Sequence, residues 1–162
     1  MNVSYIIPTL GRDTLGRAVS SIISQDKNAN LIIEGNGNSA GQNRNTALNK
    51  VPSTCNWIIF LDDDDYFDEG FYSELDNEFD IIVFRMNQGG EIKPTPNNDE
   101  IKFGTVGINF GIKKQLYDIL KTKFDDSHAE DWRFIQSYLS LNPNIKVTEK
   151  VYYNAPVIAH LQ

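Results

Sequence analysis

The chain has 162 residues, of which 40% are hydrophobic, and its 22 acidic and 15 basic side chains give a formal net charge of −7. This length suits one domain with a real hydrophobic core, and the composition excludes a chain that is disordered throughout. The acidic balance argues against nucleic acid as a partner, because nucleic-acid-binding proteins carry basic stripes that neutralise phosphates. A phosphorylated ligand would therefore need something other than bulk charge to attract it, and a divalent cation is the obvious candidate.

Targeting signals and disulfides are both missing from the sequence pattern. No stretch approaches the roughly 20 apolar residues of a membrane span, and the first residues lack the pattern of a signal peptide. Cys55 is the only cysteine, which excludes an internal disulfide and indicates a reducing compartment. We therefore expect a cytoplasmic protein that forms a single domain over residues 1–162, with Cys55 as a small core residue.

The first half of the chain alternates predicted strands with predicted helices. Short apolar runs predict strands at residues 3–7, 31–33 and 57–61, and helical spacing predicts helices over 14–25 and about 41–49. This order indicates an α/β fold with a mostly parallel central sheet and helices on both faces. Ligands bind at the carboxyl ends of the strands in such sheets. The polar residues that follow the three strands are therefore expected to converge on one site.

The second half has a less regular pattern. Two glycines, several asparagines and two prolines predict an exposed loop or hairpin over residues 86–100, and a glycine-containing strand is predicted over 103–112. The remaining predicted elements are a short helix at 71–75, a strand at 81–84, helices around 116–120 and 132–139, and a late strand at 146–153.

Four consecutive aspartates, Asp62 to Asp65, directly follow the most apolar predicted strand. Adjacent carboxylates repel one another unless a cation or solvent relieves them. Alternate residues of an extended chain point the same way, so Asp62 and Asp64 can face one site. Carboxylate oxygens suit Mg²⁺ or Mn²⁺, which also bind phosphate. A solvated acidic turn is the alternative, but the position after an apolar central strand favours a metal site.

A second acidic group contains Asp125, Asp126, Glu130 and Asp131. Ser127 and Glu130 have the spacing of a capping box, in which Glu130 would bond the backbone amide of Ser127 at a helix start. Asp131 would lie in the first helical turn, where the helix dipole stabilises negative charge. The capping box explains Glu130 better than Asp131, which makes Asp131 the stronger candidate for a chemical role.

Arg44 and His160 each have two interpretations. Arg44 lies at the start of a predicted helix, where it is either an ordinary surface arginine or a ligand for a diphosphate. His160 ends an apolar segment, and a lone histidine there is more often structural than a ligand.

Taken in order, four segments resemble the inverting glycosyltransferase family with the GT-A fold. Residues 3–9 are similar to its opening strand, residues 41–45 to its G-x-x-R-N segment, residues 60–65 to its F-L-D-x-D-D motif, and residues 130–131 to its E-D pair. The D-x-D motif alone is weak, whereas four ordered elements over residues 3–131 are fairly specific. The chain thus resembles a small single-domain form of this family.

The resemblance implies a role for each matching position. It implies a nucleotide-sugar site, with a UDP-sugar as the expected donor, that includes Pro8, Thr9, Arg12, Glu34, Arg44, Asp62 and Asp63. It also implies that Asp64 is the main ligand of a Mn²⁺ or Mg²⁺ ion, with His160 close to the diphosphate and metal. Glu34 stands where the family usually has an aspartate-rich segment.

The same resemblance implies the reaction. Asp131 would be the general base that takes the proton of an acceptor hydroxyl, and the product would have inverted anomeric configuration. A phosphohydrolase of the haloacid dehalogenase type is one alternative, because it also places D-x-D after an apolar strand, although normally near the N-terminus of its domain. A nucleotide-sugar binding module without catalytic activity is another.

Overall fold

An eight-stranded sheet with helices packed against it organises the structure, a computed structural model that describes residues 1–157. The predicted α/β class is confirmed. In chain order the elements are β1 (Val3–Pro8), α1 (Leu15–Ile23), β2 (Asn30–Glu34), α2 (Ala40–Leu48), β3 (Trp57–Phe60), β4 (Tyr66–Phe67), a 3-10 helix (Phe71–Glu74), β5 (Ile81–Gln88), β6 (Glu91–Lys93), β7 (Phe110–Lys113), α3 (Lys114–Leu120), α4 (Glu130–Leu139) and β8 (Ile145–Ala155). Within residues 1–157, every helix is too short or too polar to cross a membrane.

The strand order β2-β1-β3-β7-β5-β8-β4, with β6 paired to β5, sets the position of the site. Strand β1 pairs in parallel with β2 and β3, and β5 pairs in parallel with β8. Strand β7 is antiparallel to both of its neighbours, β3 and β5. Because of this, β1, β2, β3, β5 and β8 all run in the same direction. Their carboxyl ends lie along one edge of the sheet, where the sequence predicted a site.

Most predicted elements of the first half are confirmed within two residues, because buried strands and an amphipathic helix have strong local patterns. Cys55 is buried, as expected. The hairpin expected between 86 and 100 is formed by β5 and β6, with Gly89 and Gly90 both at positive φ in its turn.

The strand expected over residues 103–112 is wrong for its first seven residues, since β7 begins only at Phe110. The side chain of Asn109 explains the difference. Its amide nitrogen donates to the carbonyl oxygen of Phe84 at 2.6 Å, and its oxygen accepts from the backbone N–H of Gly107 at 2.9 Å. A side chain thus satisfies backbone groups that would otherwise need a strand partner.

Aromatic packing anchors the segment that precedes α4. Phe60, the last residue of β3, contacts Phe110, Phe124 and Phe134 at ring-centroid distances of 5.3–5.6 Å. Phe124 also stacks on Phe134 at 4.2 Å. Aromatic pairs of this kind add to the hydrophobic free energy of burial. The core therefore holds the segment around residue 124 against the end of β3, next to the start of the acidic run.

Candidate functional site

A cleft of about 250 Å³ opens at the carboxyl edge of the sheet, between the loop after β1, the start of α2 and the acidic run. It is lined by Pro8, Thr9, Leu10, Arg12, Ala40, Asn43, Asp62, Asp63 and Asp64. Six of the residues that the sequence analysis named for the nucleotide or metal site therefore share one cavity. Ala40 and Asn43 were not foreseen individually, although they lie in or beside the segment 41–45 that carried the family resemblance.

Asp63 is turned toward the loop after β1. Its Oδ2 atom accepts from the Thr9 hydroxyl at 2.8 Å and from the Leu10 backbone N–H at 3.0 Å, and its Oδ1 atom accepts from Arg12 Nη1 at 2.9 Å. Arg12 Nη1 also lies 2.8 Å from Asp64 Oδ2. Asp63 is nearly buried, so these contacts leave little of it for a ligand. It fixes the loop that forms one wall of the cleft.

Asp62, Asp64 and Asp65 form the group that can hold a metal ion, with one oxygen of each within 4.8 Å of the others. Oxygen ligands of this kind fit Mg²⁺ or Mn²⁺. Asp65 was missed by the sequence analysis, because a turn that joins its N–H to the Asp62 carbonyl oxygen ends the strand alternation. Burial, and then the nearby Asp62, raise the pKa of Asp65 to about 8. A bound cation would relieve both costs.

The hydroxyl of Tyr153 donates to Asp65 Oδ2 at 2.7 Å and accepts from the backbone N–H of Asp62 at 3.4 Å. Tyr153 is fully buried on β8. Strand β8 thus stabilises the acidic run through both hydrogen bonds of the Tyr153 hydroxyl. No local sequence signal indicates this contact, because the two segments are 88 positions apart.

Arg44 is buried, with 2% of its side chain exposed, and is therefore not a surface arginine. Its Nη2 atom lies 2.5 Å from Asp62 Oδ1, and its Nη1 atom lies 2.5 Å from Glu130 Oε1 and 3.2 Å from Asp131 Oδ1. One guanidinium thus joins the acidic run after β3 to the acidic start of α4. The two acidic groups of the sequence belong to a single site.

The capping box expected from Ser127 and Glu130 is wrong. Helix α4 begins after Ala129, which provides no side-chain cap. The Glu130 carboxylate pairs with Arg44 instead, and the Ser127 hydroxyl donates to Asp125. An ion pair with a buried guanidinium gives this carboxylate a stronger, charge-assisted partner than a backbone N–H.

Asp131 lies beside Glu130 and Arg44 in a desolvated position. Burial raises its pKa to about 6, against the opposing effect of Arg44, while the charges of Asp62 and Glu130 raise it further. A carboxylate with a pKa near 6 is largely ionised at neutral pH and still accepts a proton readily. Perturbed pKa values of this kind are concentrated at functional sites.

Glu34 is not among the residues that line this cleft. Glu34 is buried at the end of β2, forms an ion pair with Lys50, and faces a second, polar cleft whose lining includes Asn36 and Gln42. Its carbonyl oxygen accepts from the Thr9 backbone N–H at 2.8 Å, which links it to the first cleft. His160 lies outside the described residues.

Known structures share this fold at low sequence identity. S. aureus TarS 1–349 superposes with a TM-score of 0.78 at 20% identity, covering 96% of this chain and 60% of that one. The mannosyltransferase PcManGT from Pyrobaculum calidifontis, in complex with GDP-Man and Mn²⁺, gives 0.67 at 13% identity, covering 99% and 58%. A197 from STIV gives 0.67 at 16% identity, covering 96% and 82%. The chain thus spans less than two thirds of the TarS and PcManGT chains.

Sequence comparison gives the family directly. None of the curated proteins matches the chain significantly. The profile of Glycosyl transferase family 2, however, matches residues 12–130, from the loop after β1 to the start of α4. This match covers well over half of the chain and includes the acidic run and Arg44. The chain belongs to glycosyl transferase family 2.

Proposed function

We propose that the chain is a metal-dependent glycosyltransferase that moves a sugar from a nucleoside diphosphate sugar to an acceptor hydroxyl with inversion. One observation carries this proposal: the Arg44 guanidinium joins a carboxylate group suited to a divalent cation to a carboxylate suited to a general base, in a chain of a glycosyl transferase family. The single, buried cysteine supports the cytoplasm as the place of the reaction.

The cleft suits the nucleoside part of the donor. Its volume of about 250 Å³ is below the roughly 300–1,000 Å³ of sites that enclose a whole small molecule. We assign the base and ribose to the side formed by Pro8, Thr9 and Arg12, with Glu34 contributing from the end of β2. The diphosphate and sugar would then lie over the open acidic run. A UDP-sugar is the proposed donor, and TarS has been crystallised with UDP-GlcNAc.

The carboxylates of Asp62, Asp64 and Asp65 would hold Mn²⁺ or Mg²⁺, with Asp64 as the main ligand and His160 as a further proposed contact near the diphosphate. The ion, when bound, supplies positive charge that stabilises the leaving diphosphate. The negative charge of this site favours such an ion, because the diphosphate would otherwise meet several carboxylates, and the nearby Arg12 and Arg44 are already paired with Asp63 and Asp62.

Asp131 is the proposed general base. It takes the proton of the acceptor hydroxyl while the acceptor oxygen bonds to the anomeric carbon. The bond between that carbon and the diphosphate oxygen breaks, and its electron pair leaves with the nucleoside diphosphate. Attack from the side opposite the leaving group inverts the anomeric configuration.

Family membership argues against the phosphohydrolase alternative, since the matching family is one of glycosyl transferases. Whether the chain is instead a binding module without catalytic activity is a question for experiment.

A first prediction is that UDP stabilises the protein only in the presence of Mn²⁺. Binding at 100 times the Kd adds about 2.7 kcal/mol to the free energy of unfolding, or roughly 5–10 °C in Tm for a chain of this size. Thermal denaturation with UDP or GDP, in Mn²⁺ or in EDTA, measures this.

Asp64→Ala should remove the Mn²⁺-dependent shift. Asp118→Ala, which changes a surface carboxylate of α3 that pairs with Lys114, should keep it. Equal shifts in Mn²⁺ and EDTA would contradict the proposed metal site. Release of UDP from UDP-GlcNAc, first to water and then to acceptor saccharides, separates the two remaining functions. Binding with no release under any condition would identify a binding module.

A further inference from the structure

Three residues of α2 lie on the side of that helix that meets the segment leading into α4. Gly41, Arg44 and Asn45 are three and four positions apart, a spacing that places side chains on one face of an α-helix. Each of them contacts a residue between 124 and 131. Their contacts differ in kind, and together they fix both the distance and the orientation of this segment.

Gly41 sets the distance. A Cβ atom at this position would lie 2.5 Å from Glu130 Oε2 and 2.9 Å from the carbonyl oxygen of Asp125. The second contact is with backbone, which cannot move aside as the end of a side chain can. Only glycine therefore allows the segment to approach α2 this closely.

Asn45 holds the backbone of the segment. Its Oδ1 atom accepts from the Phe124 N–H at 2.8 Å, and its Nδ2 atom donates to the Phe124 carbonyl oxygen at 2.9 Å. One side chain thus satisfies both backbone groups of a residue outside regular secondary structure. The Phe124 ring lies 5.2 Å from the Arg44 guanidinium carbon, which connects this contact to the charged one.

Arg44 pairs with three carboxylates and has few hydrogen-bond donors left for a ligand. Its Nη1 atom serves Glu130 and Asp131, and its Nη2 atom serves Asp62. Its Nε atom is buried and has no hydrogen-bond partner within residues 1–157. A diphosphate would have to displace one of three carboxylates to reach a guanidinium that is 2% exposed.

We infer that Gly41, Arg44 and Asn45 form a clamp that positions Glu130 and Asp131 beside the acidic run, and that Arg44 is a positioning residue and not a ligand of the diphosphate. The inference deepens the proposed function, on which it rests for the role of Asp131 as base. The contacts of the clamp themselves do not depend on that role.

Two variants test the clamp. Arg44→Met removes the charge at similar volume, and Asn45→Ala removes only the contacts with Phe124 and leaves every charge in place. In both, hydrogen exchange of the backbone amides from 124 to 133 should accelerate by about tenfold or more, while the amides of β1 and β3 keep their protection. Thr46→Ala, an exposed neighbour on α2, is the matched control and should exchange as the wild type does.

UDP affinity at saturating Mn²⁺, measured by calorimetry, separates positioning from ligand binding. The clamp predicts a Kd within about threefold of wild type in both variants, whereas loss of a charge-assisted bond to phosphate would raise the Kd by more than about tenfold in Arg44→Met alone. In the hydrolysis of UDP-GlcNAc, Asn45→Ala should lower kcat by about tenfold or more and leave KM near wild type.

Unchanged exchange over 124–133 in both variants would overturn the clamp. A rise of more than tenfold in the Kd of Arg44→Met, with wild-type exchange, would make Arg44 a phosphate ligand instead. A wild-type protein that neither binds UDP or GDP nor releases a sugar would contradict the proposed function, and hydrogen exchange would still decide the clamp.

Discussion

Glu130 and Asp131 are adjacent carboxylates in the first turn of α4, yet their surroundings differ. Glu130 makes the shorter contact with Arg44 Nη1, at 2.5 Å, and Asp131 the longer one, at 3.2 Å. The shorter ion pair leaves the Glu130 carboxylate less free to accept a proton from an acceptor. Asp131 combines a weaker pair with a pKa raised to about 6, chiefly by burial, and is the better proton acceptor.

We therefore predict that Asp131→Asn lowers turnover by about 10²–10⁴-fold, the usual contribution of a general base, while UDP affinity stays near wild type and Tm does not fall. Glu130→Gln still offers an oxygen to Arg44 and should stay within about tenfold of wild type. Because Asp131 works as a base only when ionised, wild-type kcat should fall as the pH drops through about 6. Sugar release followed between pH 5 and 8 measures both effects. If Glu130→Gln abolishes turnover and Asp131→Asn does not, the base is Glu130.

Part of the site could be predicted residue by residue. Asp62 and Asp64 follow an apolar strand and alternate along it, so their shared direction is a local property of the chain. The burial of Arg44 and the role of Asp65 depend on contacts with α4 and with Tyr153 of β8. Such contacts exist only once distant segments have packed, and no local pattern encodes them.

At the scale of elements, the two halves of the chain differ in how far they could be predicted. Strands β1, β2 and β3 and helices α1 and α2 have strong apolar patterns and short connections, and their order alone gives the α/β class. Strand β7 contains Gly111, which packs closely against its neighbours. A Cβ atom placed at this position would lie only 3.1 Å from the Ile59 side chain and 3.3 Å from the Ile82 side chain. The position of β7 between β3 and β5 is set by this tertiary fit and not by local propensity.

The loop after β6 is a second element held by one buried side chain. Arg85 of β5, which is 4% exposed, donates to the carbonyl oxygens of Pro94, Thr95 and Thr148 at 2.5–3.0 Å. Its Nη2 atom also lies 2.6 Å from Asp99 Oδ1. This arginine therefore holds residues 94–99 against β5.

We predict that Arg85→Met lowers the free energy of unfolding by about 2–4 kcal/mol, because three carbonyl oxygens lose their donor in a buried position. Asp99→Asn should cost less than about 1 kcal/mol, since the Asp99 side chain is 66% exposed and its ion pair is screened by water. Urea denaturation of both variants measures the difference. Similar, small losses would show that the carbonyl contacts contribute little.

At the scale of the whole molecule, part of the chain's acidic excess lies where its electrostatic cost to folding is high. The net charge is −7, and Asp62, Asp64 and Asp65 share a space of a few ångströms in which the most buried carboxyl, Asp65, has a pKa of about 8. Without a cation, this arrangement opposes folding at neutral pH. Unfavourable electrostatics of this kind is tolerated at functional sites and compensated elsewhere in the fold.

The sign of the pH dependence follows from linkage. Asp65 and Asp131 have folded-state pKa values of about 8 and about 6, both above the value of 3.8 for an unperturbed aspartate, so the folded state binds protons that the unfolded state has released. Their contribution to stability is fully present below pH 4 and is lost as the pH rises through 6 and 8. Glu74 has the opposite effect. Its contacts with Tyr152 and Lys146 lower its pKa against the opposing effect of burial, so its contribution to stability is lost only at pH values more acidic than this range.

We predict that the Tm of the metal-free protein falls between pH 5.5 and pH 8.5, and that Mn²⁺ reduces this fall by neutralising the carboxylates. Asp65→Asn keeps an oxygen to accept from Tyr153 but carries no charge, and at pH 8.5 in EDTA it should raise the Tm by about 2–4 °C for each kcal/mol of repulsion and desolvation removed. The same variant should lose part of the Mn²⁺ effect. Asp118→Asn, an exposed carboxylate of α3, should follow wild type at every pH. A metal-free Tm that rises between pH 5.5 and 8.5, or an unchanged slope in Asp65→Asn, would show that this carboxyl does not carry the cost.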